Sequence, residues 1–186
     1  MVSLGSLWLP ILVSAVLVFL VSAIIHMVLK YHNKDYSRLP NEDAVRAAIR
    51  AGSPQPAQYV IPYCPEMKEM ETPEMKQKYV EGPVAVMNVL RPGLPNMGKN
   101  LTQWFLLILF VSFFIAYVAA HAIPTGARYL DVFRIVGAVG FLAYGAGQLT
   151  GAVWMGKPWK IAWKEAFDGL VYGLVTAGVF GWLWPR

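Results

Sequence analysis

Asp168 is the residue whose position most needs a chemical explanation. It stands two residues inside the apolar stretch Ala166–Trp184. An ionisable side chain within such a stretch is costly and marks a functional candidate. Tyr144 and Gln148, from the preceding apolar stretch, reach a similar depth, and Tyr172 and Thr176 continue the polar line along the Asp168 helix. Two readings follow. Asp168 lies just past Lys164, where a helix N-terminus favours a carboxylate, so capping and helix–helix hydrogen bonding lead. The alternative is a polar path for an ion or substrate through Asp168, Gln148, Tyr144, Tyr172 and Thr176.

Other groups carry weaker signals. His26 and His121 could serve a b-type haem only at equal depth. They fall near opposite ends of their stretches, and His32, six residues beyond His26, does not supply the second ligand. Interfacial histidines are the expectation. Asp131 and Arg134 form an i,i+3 pair; an exposed ion pair that fixes the helix is the leading reading, and an outer cluster with His121 is the alternative. Cys64, Met67, Met70 and Met75 are soft donors of the kind that hold Cu(I). Pro65 and Pro73 interrupt them, so a packing or docking stripe is the stronger reading, and no metal is expected. The sequence has no Gly-rich phosphate loop with Lys-Ser/Thr, no His-Glu-x-x-His, no Cys-x-x-Cys and no Gly-x-Ser-x-Gly. No cofactor is called for, and the balance leans away from an enzyme.

The elements that must position these residues are four apolar stretches: Ser6–Leu29, Thr102–Ala122, Leu130–Trp154 and Ala166–Trp184. Each is long enough to cross a bilayer core, which takes about 20 residues. Of the 186 residues, 56% are apolar. The net charge is +5, and placement matters more than the total. Ten Lys or Arg lie between Lys30 and Lys99, and Lys157, Lys160 and Lys164 fill the third connector, against Arg128, Arg134 and Arg186 on the other side. The positive-inside rule puts the long loop in the cytoplasm and both termini outside. Trp8, Trp182 and Trp184 then fall at the outer interface, and Trp104, Trp154, Trp159 and Trp163 at the inner one. Basic residues are explained by topology and anionic lipid, so no nucleic-acid partner is expected. The first stretch has no basic n-region and reads as a retained span. The single cysteine, Cys64, allows no intrachain disulfide and lies where thiols stay reduced.

The chain thus divides into residues 1–29, a first span; 30–101, a cytoplasmic appendage; and 102–186, a three-span region over about 102–122, 130–154 and 166–184. Within the appendage, Asn41 opens a short helix closed by Gly52, Gln58–Ile61 is extended, Thr72-Pro73 opens a second helix ending at Gly82, and Pro83–Leu90 alternates as a strand. Pro65-Glu66-Met67-Lys68 recurs as Pro73-Glu74-Met75-Lys76, too short a repeat to imply a repeat fold. In the last span Gly169, Gly173, Ala177 and Gly181 recur every four residues, and Ala143, Gly147 and Gly151 answer in the third. That is the small-xxx-small pattern of close membrane helix pairs. Intrachain packing leads over a homo-oligomer seam.

The segments Gly82-Pro83-Val84 through Asn96-Met97-Gly98-Lys99, and Phe167-Asp168-Gly169-Leu170 through Gly181-Trp182-Leu183-Trp184-Pro185, resemble an uncharacterised family of bacterial four-span inner-membrane proteins. Phe133-Arg134 and Gly156-Lys157-Pro158-Trp159 extend the likeness, which runs from about Leu39 to the C-terminus. The resemblance implies a bacterial integral membrane protein and transfers no site. The expected fold is an all-α four-span bundle with a small cytoplasmic α+β insertion. The leading expectation for function is a non-catalytic accessory or scaffold subunit, or a small homo-oligomer, its partners being lipid and other membrane subunits or copies of itself. A small transporter or channel comes second and a membrane enzyme or redox protein third.

Overall fold

Runs of Leu, Val, Ile and Phe without internal proline give the chain its long helices. In the computed structural model, which describes residues 2–186, helix α1 spans Trp8–Ala23 and holds Pro10 in its first turn, where a missing amide costs nothing. It widens into a π-helical turn over Ile24–Leu29 and stops at Lys30, whose φ of 53° is left-handed. Helix α4 spans Met97–Ala122, capped by Asn96, whose side chain accepts from the Lys99 amide at 3.0 Å. Helix α5 runs Tyr129–Tyr144 and α6 runs Leu149–Trp154, joined by one 3-10 turn at Ala146–Gln148. Helix α7 covers Trp159–Trp182.

Three of these segments, Leu4–Leu29, Met97–Ala122 and Tyr129–Trp154, are long and apolar enough to cross a membrane. The fourth stretch of the sequence reading is a helix of 24 residues. It falls short in apolarity because Lys160, Lys164, Glu165 and Asp168 occupy its first half. The third stretch is not one continuous helix either: it breaks at Gly145.

The long helices close into a ring. α1 packs on α4 and α7, α4 on α5, and α5 on α7, the last pair being the most extensive. The Val2 amide donates to the Ala120 carbonyl at 3.3 Å, so α1 and α4 run antiparallel. One end of the ring is filled by Leu7, Ile115, Val132, Val136 and Phe180, all fully buried. Trp184 closes that end from the chain terminus: only 6% exposed, it donates to the Pro124 carbonyl at 2.9 Å.

Glycine decides the α5–α7 distance. A β-carbon on Gly169 would stand 2.3 Å from the Gly145 Cα, one on Gly173 2.8 Å from the Phe141 amide nitrogen, and one on Gly140 2.8 Å from the Gly173 Cα. At Gly181 the obstacle is the Tyr129 ring at 2.7 Å, and Ala177 meets Gly137. The α7 ridge Gly169, Gly173, Ala177, Gly181 is therefore used within the chain. Its counterpart is Gly137, Gly140 and Gly145, not the expected Ala143, Gly147 and Gly151. Ala143 is exposed, Gly147 faces open space, and Gly151 meets only the Lys157 side chain. The break at Gly145 turns the later residues off the shared face.

Residues Ser37–Pro95 form a second compact unit. It is narrower than the expected 30–101 because Tyr31–Tyr36 and the first turns of α4 belong to the helical unit. It contains α2 (Glu42–Ala51), strand β1 (Ala57–Ile61), α3 (Pro73–Glu81) and strand β2 (Ala85–Val89). The strands pair antiparallel, Ala57 opposite Val89 and Ile61 opposite Ala85. Thr72 caps α3 through the Met75 amide at 3.3 Å. Asn41 precedes α2 without a side-chain cap.

The packing gives a graded prediction. Gly169→Ala and Gly173→Ala should each destabilise by about 1–3 kcal/mol, the range for overpacked contacts. Gly147→Ala should be near neutral or slightly stabilising. Thermal unfolding of the purified variants in detergent checks this ordering, and a Gly169→Ala protein as stable as the parent would refute the close contact.

Candidate functional site

The chain leaves α1 in a way that gathers polar side chains. The π turn carries His26, the left-handed Lys30 reverses direction, and a 3-10 turn over Tyr31–Lys34 folds back. His32 then lies over His26, ring centroids 4.9 Å apart, and against Tyr31 at 4.3 Å. A π turn inside an α-helix is uncommon and recurs at functional positions.

This turn meets the start of α7, where Asp168 is only 4% exposed. Asp168 Oδ2 lies 2.7 Å from His32 Nε2, and its other oxygen accepts a hydrogen bond from the Tyr31 hydroxyl. The second ring nitrogen, His32 Nδ1, lies 2.7 Å from Asp35 Oδ2. Lys164, one α7 turn before Asp168, donates to Asp35 Oδ1 and, at 3.0 Å, to the Tyr31 carbonyl. The Lys164 hydrogen bond, with His32 assisting, holds the Asp35 carboxyl below its ordinary range. Lys157 pairs with Glu165 at 2.6 Å. Asp168 is thus no simple helix cap: it anchors α7 to the turn that follows α1.

Asp168 also borders a cavity of about 360 Å³, shared with His26, Trp104, Tyr144, Gln148, Glu165 and Tyr172. Tyr144 and Tyr172 are 8% and 5% exposed; the Tyr172 hydroxyl has no hydrogen-bond partner, and the Tyr144 hydroxyl lies beside those of Ser112 and Thr176. Gln148 sits in the break after α5 and reaches toward the Tyr144 carbonyl at 3.5 Å. That broken helix lets irregular backbone line a polar space, the arrangement tolerated at membrane depth. Deeper in the ring polarity thins out. Thr176 donates to the Tyr172 carbonyl at 2.9 Å, and Ser14 and Ser112 meet at 3.4 Å. Beyond them lies the apolar plug of Leu7, Ile115 and Phe180. The cavity thus lies at the charged end of the ring, and the apolar plug fills the other end.

The predicted path residues Asp168, Gln148, Tyr144 and Tyr172 line one cavity, with Thr176 one turn further in. The structure adds a contact to the histidine reading that the spacing did not suggest. His26 and His121 do stand at opposite ends, but His32 joins His26 and Asp168. These three present ligand atoms within 4.8 Å of one another. Sequence spacing missed this because six residues along a continuous helix would separate the rings, and only the reversal at Lys30 stacks them. A polar Tyr-His-Asn-Lys-Asp run directly after an apolar stretch was the available signal.

The outer cluster does not assemble. His121 Nδ1 lies 2.7 Å from the Tyr117 carbonyl on its own helix. Asp131 takes Arg128 at 2.8 Å, with Arg134 at 4.0 Å. Among the described residues no hydrogen bond or ion pair joins His121 to Asp131 or Arg134. The soft-donor group is dispersed too: Cys64 Sγ donates to the Glu66 carbonyl, Met75 is buried, and Met67 is fully exposed. A groove of about 480 Å³ in the appendage, beside Arg46, Arg50 and Pro54, carries no acid or histidine.

The chain matches no family model, no curated protein and no solved structure.

Asp168→Ala would leave the Tyr31 hydroxyl and His32 Nε2 without their partner. It should cost about 3–5 kcal/mol, as for one member of a buried pair. Glu165→Ala, in a half-exposed pair, should cost no more than about 1 kcal/mol. Unfolding of the two variants in the same detergent measures the contrast, and equal losses would count against a buried Asp168 network.

Proposed function

We propose that this protein is a small multi-pass transporter of the bacterial inner membrane, whose chamber around Asp168 admits a small polar solute from the cytoplasmic side. The observation that carries the reading is a nearly buried carboxylate opening, with Gln148, Tyr144 and Tyr172, onto a cavity at the charged end of the ring. A purely structural bundle gains little from ionisable groups there, since each is costly to hold away from water. A chamber at one end of the ring is the expected form of an inward-open state, in which the plug around Phe180 must part for passage.

In this reading α7 is the fourth span. Its 24 residues extend about 36 Å at 1.5 Å per residue, more than a hydrocarbon core of about 30 Å. Its charged first half would lie at the headgroups, with Asp168 compensated by Tyr31 and His32. Lys30, Lys34, Lys157, Lys160 and Lys164 gather at the chamber end, which supports a cytoplasmic mouth and external termini. Exposed Trp154, Trp159 and Trp163 at that end, and Trp8 and Trp182 at the other, suit two aromatic belts.

The second reading is an accessory or scaffold subunit. It is favoured by the appendage, in which Met75 is the one buried apolar side chain among the described residues, while Leu94, Val80 and Leu90 stay exposed. A partner surface would cover them. The glycine ridge of α7 no longer supports this reading, because α5 occupies it.

Two measurements test the proposal. Cys64 is the single cysteine, so a membrane-impermeant maleimide should label it in inside-out vesicles and not in intact spheroplasts. The reverse pattern would overturn the orientation. In proteoliposomes, flux of at least one member of a panel of amines, amino acids and mono- and divalent cations should exceed that of protein-free vesicles and be abolished by Asp168→Asn. Folded protein giving no flux across the whole panel would overturn the transport reading.

A further inference from the structure

We propose that His26, His32 and Asp168 form a binding site for one divalent transition-metal cation, with the cavity of Tyr144, Tyr172 and Gln148 facing its open coordination positions. The assignment names the solute class of the chamber and rests on the transport reading for its physiological role. The binding itself stands on geometry.

The donor set comes first. Two imidazoles and a carboxylate suit divalent first-row metals such as Zn²⁺, Co²⁺ or Mn²⁺. Mg²⁺ and Ca²⁺ take oxygen donors, and Cu(I) takes sulfur, of which the cavity lining has none. Two donors on an ion about 2.1 Å away stand roughly 3–3.5 Å apart. His32 Nε2 and Asp168 Oδ2 are at 2.7 Å and the full set lies within 4.8 Å, so small side-chain rotations, chiefly of the exposed His26, close the triad around an ion.

The surroundings point the same way. His32 Nδ1 is engaged by Asp35, and Asp35 is fixed by Lys164. This carboxylate–histidine arrangement turns Nε2 toward a metal and fixes the ring. His32 stands between two carboxylates, each with an oxygen 2.7 Å from one ring nitrogen. The 2.7 Å separation is that of a hydrogen bond, so a proton joins the two atoms here, and a metal ion would take that proton's place as they part to about 3 Å. Tyr31 holds the other oxygen of Asp168 and so orients the carboxylate. A second, independent observation is the unpartnered hydroxyl of Tyr172, more than nine-tenths buried, on the same cavity. Buried polar groups are almost always bonded. Waters or a small anion completing the metal's coordination shell would give that hydroxyl a partner.

The test uses the full chain, purified in detergent without a polyhistidine tag and stripped with chelator, with Co²⁺ or Zn²⁺ alone as the probe. One equivalent of Co²⁺ should bind and give visible d–d bands, and Zn²⁺ should displace it. His26→Ala, at an exposed position, should weaken binding about tenfold or more while leaving the fold intact. Asp35→Asn, which touches no metal, should cost about 10–100-fold and shift the bands, as loss of an orienting partner does. His121→Ala should change nothing. Absence of stoichiometric binding, or binding that survives both His26→Ala and Asp35→Asn, overturns the proposal. Metal binding without flux in proteoliposomes would retain the site and remove the transport reading; flux of other solutes without metal binding would do the opposite.

Discussion

At Gly169 helix α7 approaches Gly145 so closely that no β-carbon fits between them. The rest of the helical unit depends on that contact. Gly145 is also where α5 ends, so the same point brings two backbones together and releases the chain into the turn that carries Gln148. Asp168 precedes Gly169 directly and Tyr144 precedes Gly145. Backbone contact between the glycines therefore places a carboxylate beside a tyrosine and a broken helix, and a polar chamber results. A bulkier residue at either glycine would separate the helices and disperse the chamber.

The opposite wall is built by a different force. Tyr31 packs its ring against the core, but His32 and Asp35 have no apolar reason to sit against α7. They are held by Asp168 and Lys164, one turn apart on that helix, in an alternating array of acid and base. Such an array is compensated only when complete, since a buried charge without its partner is costly. The site thus consists of dispersion packing on one side and charge pairing on the other, joined through Asp168.

The two ends of the ring contrast in chemistry. One holds Leu7, Ile115, Phe180 and the Trp184 clamp; the other holds histidines, acids and lysines. This division gives the molecule a direction that a uniformly apolar bundle would lack. It also concentrates cationic side chains where anionic lipid headgroups would neutralise them. The appendage contributes little core of its own, as its size dictates.

The sequence by itself determined where the long helices lie, because long apolar runs can satisfy their backbone away from water only as helices, though not the break at Gly145. It also determined the short elements of the appendage, whose Thr72-Pro73 start, Gly82 stop and strand alternation act within a few residues. It marked Asp168, Gln148, Tyr144 and Tyr172, since polar groups in apolar runs stand out in composition alone. Only the tertiary structure decided which small residues meet. A four-residue spacing fits several faces of α5, and the break at Gly145 chose Gly137, Gly140 and Gly145 over Ala143, Gly147 and Gly151. It alone joined His32 to His26 and Asp168, because a reversal at one left-handed lysine and a contact across more than a hundred residues leave no periodic trace in the chain.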